Sequence, residues 1–121
     1  MAKLFPSTWV KGRVRRAILV DSRSVNWVKG MDRNVEFFII DHHVDEDQPR
    51  EENNVWSAAV GANTTLLLER LIVADYAPTP VEATLFALGI HEDTGSLTYP
   101  STTHRDARCL AWLLGWPGFA C

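Results

Sequence analysis

The stretch Phe37–Asp47, FFIIDHHVDED, sets four apolar residues directly against an acid and two histidines. An apolar run without alternation suits a strand covered on both faces of a parallel sheet. The upstream segment RRAILVD has the same form, so Ala17 to Val20 reads as a strand ending at Asp21. In VEFFII, Val35 to Ile40 reads as a second strand, ending at Asp41. Between them, SRSVNWVKGMDRN has room for a short helix or turn, with Gly30 and Asn34 as breakers. Strand, crossover and strand make a tight βαβ unit.

Working outward, VDEDQPREENN is acidic and polar, holds Pro49, and reads as a surface loop. VWSAAVGA supplies a third strand, followed by a helix over NTTLLLERLIVADY with Leu67, Leu68, Leu71 and Ile72 as its buried stripe. The next helix marks its own start. Thr79 caps, Pro80 suits the first helical position, and Glu82 completes a capping box. Its periodicity runs to about Ile90. A last helix follows Thr103, with Asp106 three residues on, and stops at Gly115. The expected fold class is α/β, a parallel sheet flanked by helices, forming a single domain over residues 1–121.

Composition agrees with that class. The 121 residues are 46% hydrophobic and 22% charged with a net charge of −3, which leaves no basic footprint for tight nucleic-acid binding. The cluster Lys11-Gly12-Arg13-Val14-Arg15-Arg16 reads either as a phosphate-attracting surface or as a solvated lead-in to the first strand. Cys109 lies in an apolar helical pattern and Cys121 is the last residue, so neither suggests a disulfide framework or a zinc site. There is no signal-peptide pattern and no apolar run of membrane-spanning length, so a cytoplasmic domain is expected.

In parallel α/β sheets, ligands gather beyond the carboxyl ends of the strands. Asp21 and Asp41 stand there, the second followed by His42 and His43. A third acid, Asp93, lies in GIHEDTGS. If the sheet brings these ends together, Asp21, His42 and Asp93 converge on a divalent ion. Carboxylates with imidazole suit manganese, zinc or iron, and fewer nitrogens favour magnesium. Each acid also has a plain reading as a turn or cap residue, and spacing alone leaves both open. The hydroxyls of Thr94, Ser96, Thr102 and Thr103 read as phosphate donors or as caps. The helix start at Gly61-Ala62-Asn63-Thr64 reads as an anion site or as a simple turn.

IIDHH, with ILVD upstream and GIHEDTGSLTYPSTTHRD downstream, resembles the DHH phosphoesterase family. Its members include single-strand exonucleases, oligoribonucleases, cyclic-dinucleotide phosphodiesterases and manganese-dependent inorganic pyrophosphatases. VGANTTLLLERL and EATLFALGIHEDTGSLTYPSTTHRDARCLAWLLG are most similar to the DHH domain attached to some bacterial tRNA nucleotidyltransferase or poly(A) polymerase-like proteins. The resemblance covers roughly Ala17 to Gly118 and implies a Rossmann-like DHH architecture. It further implies that Asp21 bridges two metals, His42 is a ligand, and Asp93 completes one metal's set. His43 would face the substrate or orient its neighbours, and Asp41 would fix a histidine tautomer. The implied chemistry is metal-assisted hydrolysis of a phosphoester or phosphoanhydride by water held between two divalent ions.

Departures from the family pattern set a second group of expectations. The family's first motif, with its Asp-x-Asp core, has no counterpart in MAKLFPSTWVKGR, and its substrate-closing second lobe has none after Cys121. The resemblance is thus to a truncated domain that would hold one Mn2+ or Mg2+ ion rather than a pair, with residual or no hydrolysis. Its partner would be a phosphate-containing small molecule or a short oligonucleotide. His91 stands where the family usually has an aromatic residue, and either fills that ring's place or adds a nitrogen near the site. Apolar surface left by the missing strand would be covered by Trp9, Trp27, Trp56, Trp112 or Trp116, or by a second copy in a homodimer. Two rival readings remain: an enzyme completed by oligomerisation or another chain, and a non-catalytic module that binds nucleotides or proteins.

Overall fold

The structure, a computed structural model, describes residues 14–22, 34–43 and 54–117. The expected crossover, acidic loop and N-terminal basic residues 11–13 fall outside these ranges, as do Trp9, Trp27 and Cys121. The described elements run β1 (Arg16–Val20), β2 (Glu36–Asp41), β3 (Val55–Ser57), α1 (Asn63–Val73), α2 (Pro80–Thr94) and α3 (His104–Leu114). The three strands form one parallel sheet in the order β1-β2-β3. Val20 pairs with Ile40 and Asp41 with Ser57, so the carboxyl ends of all three strands share one edge.

The helices supply the core. Leu68 of α1, Ala83, Ala87 and Ile90 of α2, and Cys109, Leu110 and Leu113 of α3 bury their side chains together with Ala62. The stripe on α1 is displaced from the expected one. Thr65, Leu66 and Leu68 are fully buried, whereas Leu67 is half-buried and Leu71 and Ile72 pack at the margin. The sheet is also less enclosed than its apolar runs suggest. Along β1, Ile18 and Val20 stay exposed at 66% and 52%, because α1 packs against β2 and β1 is an outer strand of the described sheet. Trp56 lies on β3 beneath the Arg70 guanidinium, 4.6 Å from its ring, and Trp112 pairs with Trp116 at the end of α3.

The helix starts lie where the sequence predicts them, but α1 stops at Val73, short of the expected Tyr76, and α2 runs on. Thr79 Oγ1 accepts from the Glu82 N–H at 3.3 Å, and Glu82 Oε2 accepts from the Thr79 N–H at 2.8 Å. Helix α2 continues past Ile90 to Thr94, whose buried hydroxyl donates back to the Ile90 carbonyl. It ends where Gly95 enters the left-handed region at φ 54°. Glycine is required there twice over, since a Cβ would run into the Tyr99 ring. Ser96 and Leu97 continue in the same region at φ 56° and 68°. Gly115 closes α3 with an ordinary right-handed φ of −80°, so that position makes no demand on glycine.

Asp106, fully buried at the start of α3, joins two helix N-termini. Its Oδ2 accepts from the N–H of Gly61 at 2.9 Å and from the N–H and hydroxyl of Thr103, both at 2.7 Å. Its Oδ1 accepts from the Ala62 N–H at 3.1 Å and the Thr65 hydroxyl at 2.6 Å. Burial is the largest single influence on this carboxyl and pushes its pKa up. The hydrogen bonds from Thr65, Thr103 and Gly61 together outweigh it and leave the pKa below the usual 3.8. Nearby, the Arg105 guanidinium clamps Glu69 of α1 through two bonds, tying α3 to α1 and holding the Glu69 carboxyl low. Burial pushes the Cys109 thiol up to about 11, so it behaves as a core residue.

A carboxyl whose folded pKa lies below its unfolded one stabilises the fold fully above the unfolded value. That contribution is lost as pH falls through the folded value. Asp106→Asn is therefore expected to cost about 2–3 kcal/mol at neutral pH, as loss of bonds to a buried charge does. In urea unfolding, the gap between variant and unmodified chain should narrow once pH drops below 3.8. A gap that stays constant with pH would show that the charge on Asp106 is not what holds the two helix starts.

Candidate metal centre

Parallel pairing fixes the position of both strand-end acids. Asp21 follows Val20 and Asp41 follows Ile40, and those two preceding residues are register partners. The Asp21 N–H donates to the Ile40 carbonyl at 2.9 Å, and its backbone turns into the left-handed region at φ 55°. Aspartate is among the few non-glycine residues that tolerate this conformation, and such strain concentrates at functional sites. The turn leaves the Asp21 side chain half-exposed over the end of β2.

Because β2 ends at Asp41, strict alternation stops before the histidines, and both rings come to the same edge. Their centroids lie 4.0 Å apart, tilted by 51°. One donor atom from each of Asp21, Asp41, His42 and His43 lies within 4.8 Å of every other, which is a spacing that suits a shared cation. Each imidazole is held differently. His42 turns Nδ1 to the Val60 carbonyl at 3.1 Å and Nε2 towards Asp21 Oδ1 at 3.3 Å. A carbonyl oxygen only accepts, so Nδ1 donates, which in a neutral ring leaves the lone pair on Nε2. His43 instead donates from Nδ1 to buried Asp41 Oδ1 at 2.9 Å, with Asp21 Oδ1 at 3.8 Å. The nitrogen that His43 turns to the cluster is thus already bonded to a carboxylate, whereas that of His42 is ready for a metal.

Of the residues expected at the site, Asp21, Asp41, His42 and His43 meet. Asp93 is not in that group. It sits half-buried in the last turn of α2, beside Thr94, whose methyl packs where a Gly61 side chain would be. Gly61 in turn follows Val60, the residue facing His42. Asp93 and Glu92 also stand at the negative end of the helix dipole, where a carboxylate is disfavoured unless a cation is near. His91 is likewise outside the group, and its Nδ1 is buried with no hydrogen-bond partner among the described residues.

The threonine hydroxyls make contacts within the chain. Thr94 accepts from the Leu97 N–H, Thr102 donates to the Thr94 carbonyl, and Thr103 donates to Asp106. The start of α1 does meet an anion, as its glycine and free N–H groups suggest, but that anion is the chain's own Asp106. A further residue, Asn63, shows in the sequence only as part of that helix start. With its amide oriented to satisfy both contacts, its nitrogen donates to the Ile40 carbonyl at 3.3 Å and its oxygen accepts from the Asp21 N–H at 3.1 Å. Nothing in its own sequence neighbourhood marks this role, because both partners are strand-end residues distant in the chain.

Comparison with known proteins follows this geometry. No protein-family model matches the chain. Over 80 residues it is 42% identical to the A-adding tRNA nucleotidyltransferase of Geobacter sulfurreducens, covering 66% of this chain and 9% of that protein. Over 97 residues it is 39% identical to the A-adding tRNA nucleotidyltransferase of Aquifex aeolicus, covering 80% of this chain and 12% of that protein. Among solved structures, the Methanococcus jannaschii putative family II inorganic pyrophosphatase superposes with a TM-score of 0.66 at 24% identity. That match covers 90% of this chain and 39% of the pyrophosphatase. The fold is α/β, a parallel sheet with helices, and is shared with that pyrophosphatase. The chain is homologous to a small part of the two nucleotidyltransferases and spans about a tenth of their length. No helix among the described residues is long and apolar enough to cross a membrane.

Asn63→Ala removes the amide that joins the ends of β1 and β2. It is expected to lower stability by about 1–2 kcal/mol, the cost of leaving buried backbone groups with fewer partners. An unchanged urea midpoint would show that the amide does not bridge Asp21 and Ile40.

Proposed function

We propose that the chain is a DHH-family phosphoesterase-like domain that holds one divalent cation between Asp21 and His42, with Asp93 as a further ligand. The observation that carries this reading is the four-residue cluster at the strand edge, with the Nδ1 of His42 committed to Val60 and its Nε2 left towards Asp21. Two carboxylates and one imidazole suit manganese, with magnesium the weaker fit. When bound, such an ion supplies Lewis acidity at a phosphoryl oxygen and lowers the pKa of water.

The chain's own groups would divide the remaining work. Asp21 offers a half-exposed carboxylate on the open side of the cluster. His42 binds through Nε2 and is kept in that tautomer by the Val60 carbonyl. Asp41, buried, holds the His43 ring by its Nδ1–H, which leaves His43 Nε2 to meet a substrate oxygen. The substrate class is a phosphate-containing small molecule or a short oligonucleotide, in keeping with the tRNA-directed relatives and the pyrophosphatase fold.

With manganese, slow hydrolysis of a short oligoribonucleotide or of pyrophosphate is expected, below the roughly 1 per second of ordinary enzymes. His42→Ala should abolish it together with metal uptake. Turnover that survives His42→Ala, or full activity with all divalent ions chelated, would refute the reading. The same reading includes a homodimer whose contact covers the exposed Ile18 and Val20 of β1. Sedimentation should then show association at micromolar concentration that Ile18→Lys weakens, and a monomer throughout would count against the dimer.

A further inference from the structure

The peptide group that joins Val60 to Gly61 is bonded at both ends. Its carbonyl accepts from His42 Nδ1 at 3.1 Å, and its N–H donates to Asp106 Oδ2 at 2.9 Å. A trans peptide is a rigid plate whose N–H and C=O point in opposite directions. The two bonds therefore share one orientation, and rotating the plate breaks both. Asp106 is a fixed acceptor, fully buried and held by Ala62, Thr65 and Thr103. The close approach depends on glycine, since a Cβ at Gly61 would lie 3.0 Å from Asp106 Oδ2 and 2.7 Å from Thr94 Cγ2.

We propose that Asp106 is a positioning residue for the metal ligand His42, acting through the Val60–Gly61 peptide. The proposal rests on the reading of His42 as a ligand. A negative charge against the N–H draws the peptide's electrons towards its carbonyl oxygen, and hydrogen bonds in series strengthen one another in this way. The Val60 carbonyl becomes a better acceptor for His42 Nδ1–H, which keeps the Nε2 lone pair available to an ion on the cluster side. Metal-binding imidazoles are commonly oriented by a carboxylate or carbonyl at the second nitrogen. In this chain the two are coupled, with the carboxylate one peptide unit further out. The α3 helix, which carries no residue of the cluster, thereby sets the geometry of a ligand on the far side of the α1 start.

Nitrogen-15 NMR of the imidazole rings in the metal-free chain tests this without reference to turnover. At a pH where His42 is neutral, its ring is expected as the Nδ1–H tautomer, with scalar coupling across the hydrogen bond from Gly61 N–H to the Asp106 carboxylate. Asp106→Asn should shift the His42 ring nitrogens towards the Nε2–H form and weaken manganese affinity about tenfold. Thr103→Ala, which keeps the Asp106–Gly61 bond, should destabilise the fold yet leave the His42 ring signals in place. An Nε2–H tautomer in the unmodified chain, absence of the coupling, or unchanged ring signals in Asp106→Asn would overturn the proposal. The first two need no variant, so they decide the matter even where Asp106→Asn does not fold. If instead the ring signals respond as expected while His42→Ala still takes up metal, the linkage stands and the functional reading fails.

Discussion

A carboxylate can be buried only where donors replace the water it gives up. Asp106 meets that condition with donors drawn from both the start of α1 and the start of α3, and the molecule is organised around it. Two helix N-termini, each with positive dipole ends and unpaired N–H groups, share a single negative charge. The arrangement sets the path of the chain from β3 into α1. It thereby fixes the Val60 carbonyl against His42 and Asn63 against the ends of β1 and β2. The candidate site thus depends on a charge buried beyond its own boundary.

The sheet contributes a different constraint. In-register parallel pairing of Val20 with Ile40 carries Asp21 and Asp41 to one edge, whatever the residues beyond them do. Termination of β2 at Asp41 then decides that His42 and His43 converge rather than diverge. Had the strand run two residues further, alternation would have sent one ring to each face. The cluster therefore needs both a pairing register and a strand end, and neither is a property of the histidines themselves.

Much of this was legible in the sequence because it is local. Continuous apolar runs marked β1 and β2, and Thr79-Pro80-Val81-Glu82 marked the start of α2. The adjacency of an acid and two histidines to a strand end marked the site. What escaped was non-local or lay where local signals fall silent. The last turn of α2 has no apolar residue to continue its periodicity, yet Thr94 is buried there through its hydroxyl and methyl contacts. The anion at the α1 start came from another helix, so the Gly61-Ala62-Asn63-Thr64 segment suggested an anion without revealing which. Asn63 and Asp106 looked like ordinary polar residues of helix starts, since their partners are distant in sequence. Asp93 came from the resemblance and from its acid in a turn-rich segment. It stands in the last turn of α2, outside the group of four donors.

The central claim is that the strand-edge cluster binds a divalent ion. Titrating manganese into the unmodified chain, with free ion followed by electron paramagnetic resonance, tests it most directly. The account predicts saturable uptake of a single ion per chain, lost when Asp21 is replaced by alanine. No uptake, or uptake indifferent to Asp21, would contradict it.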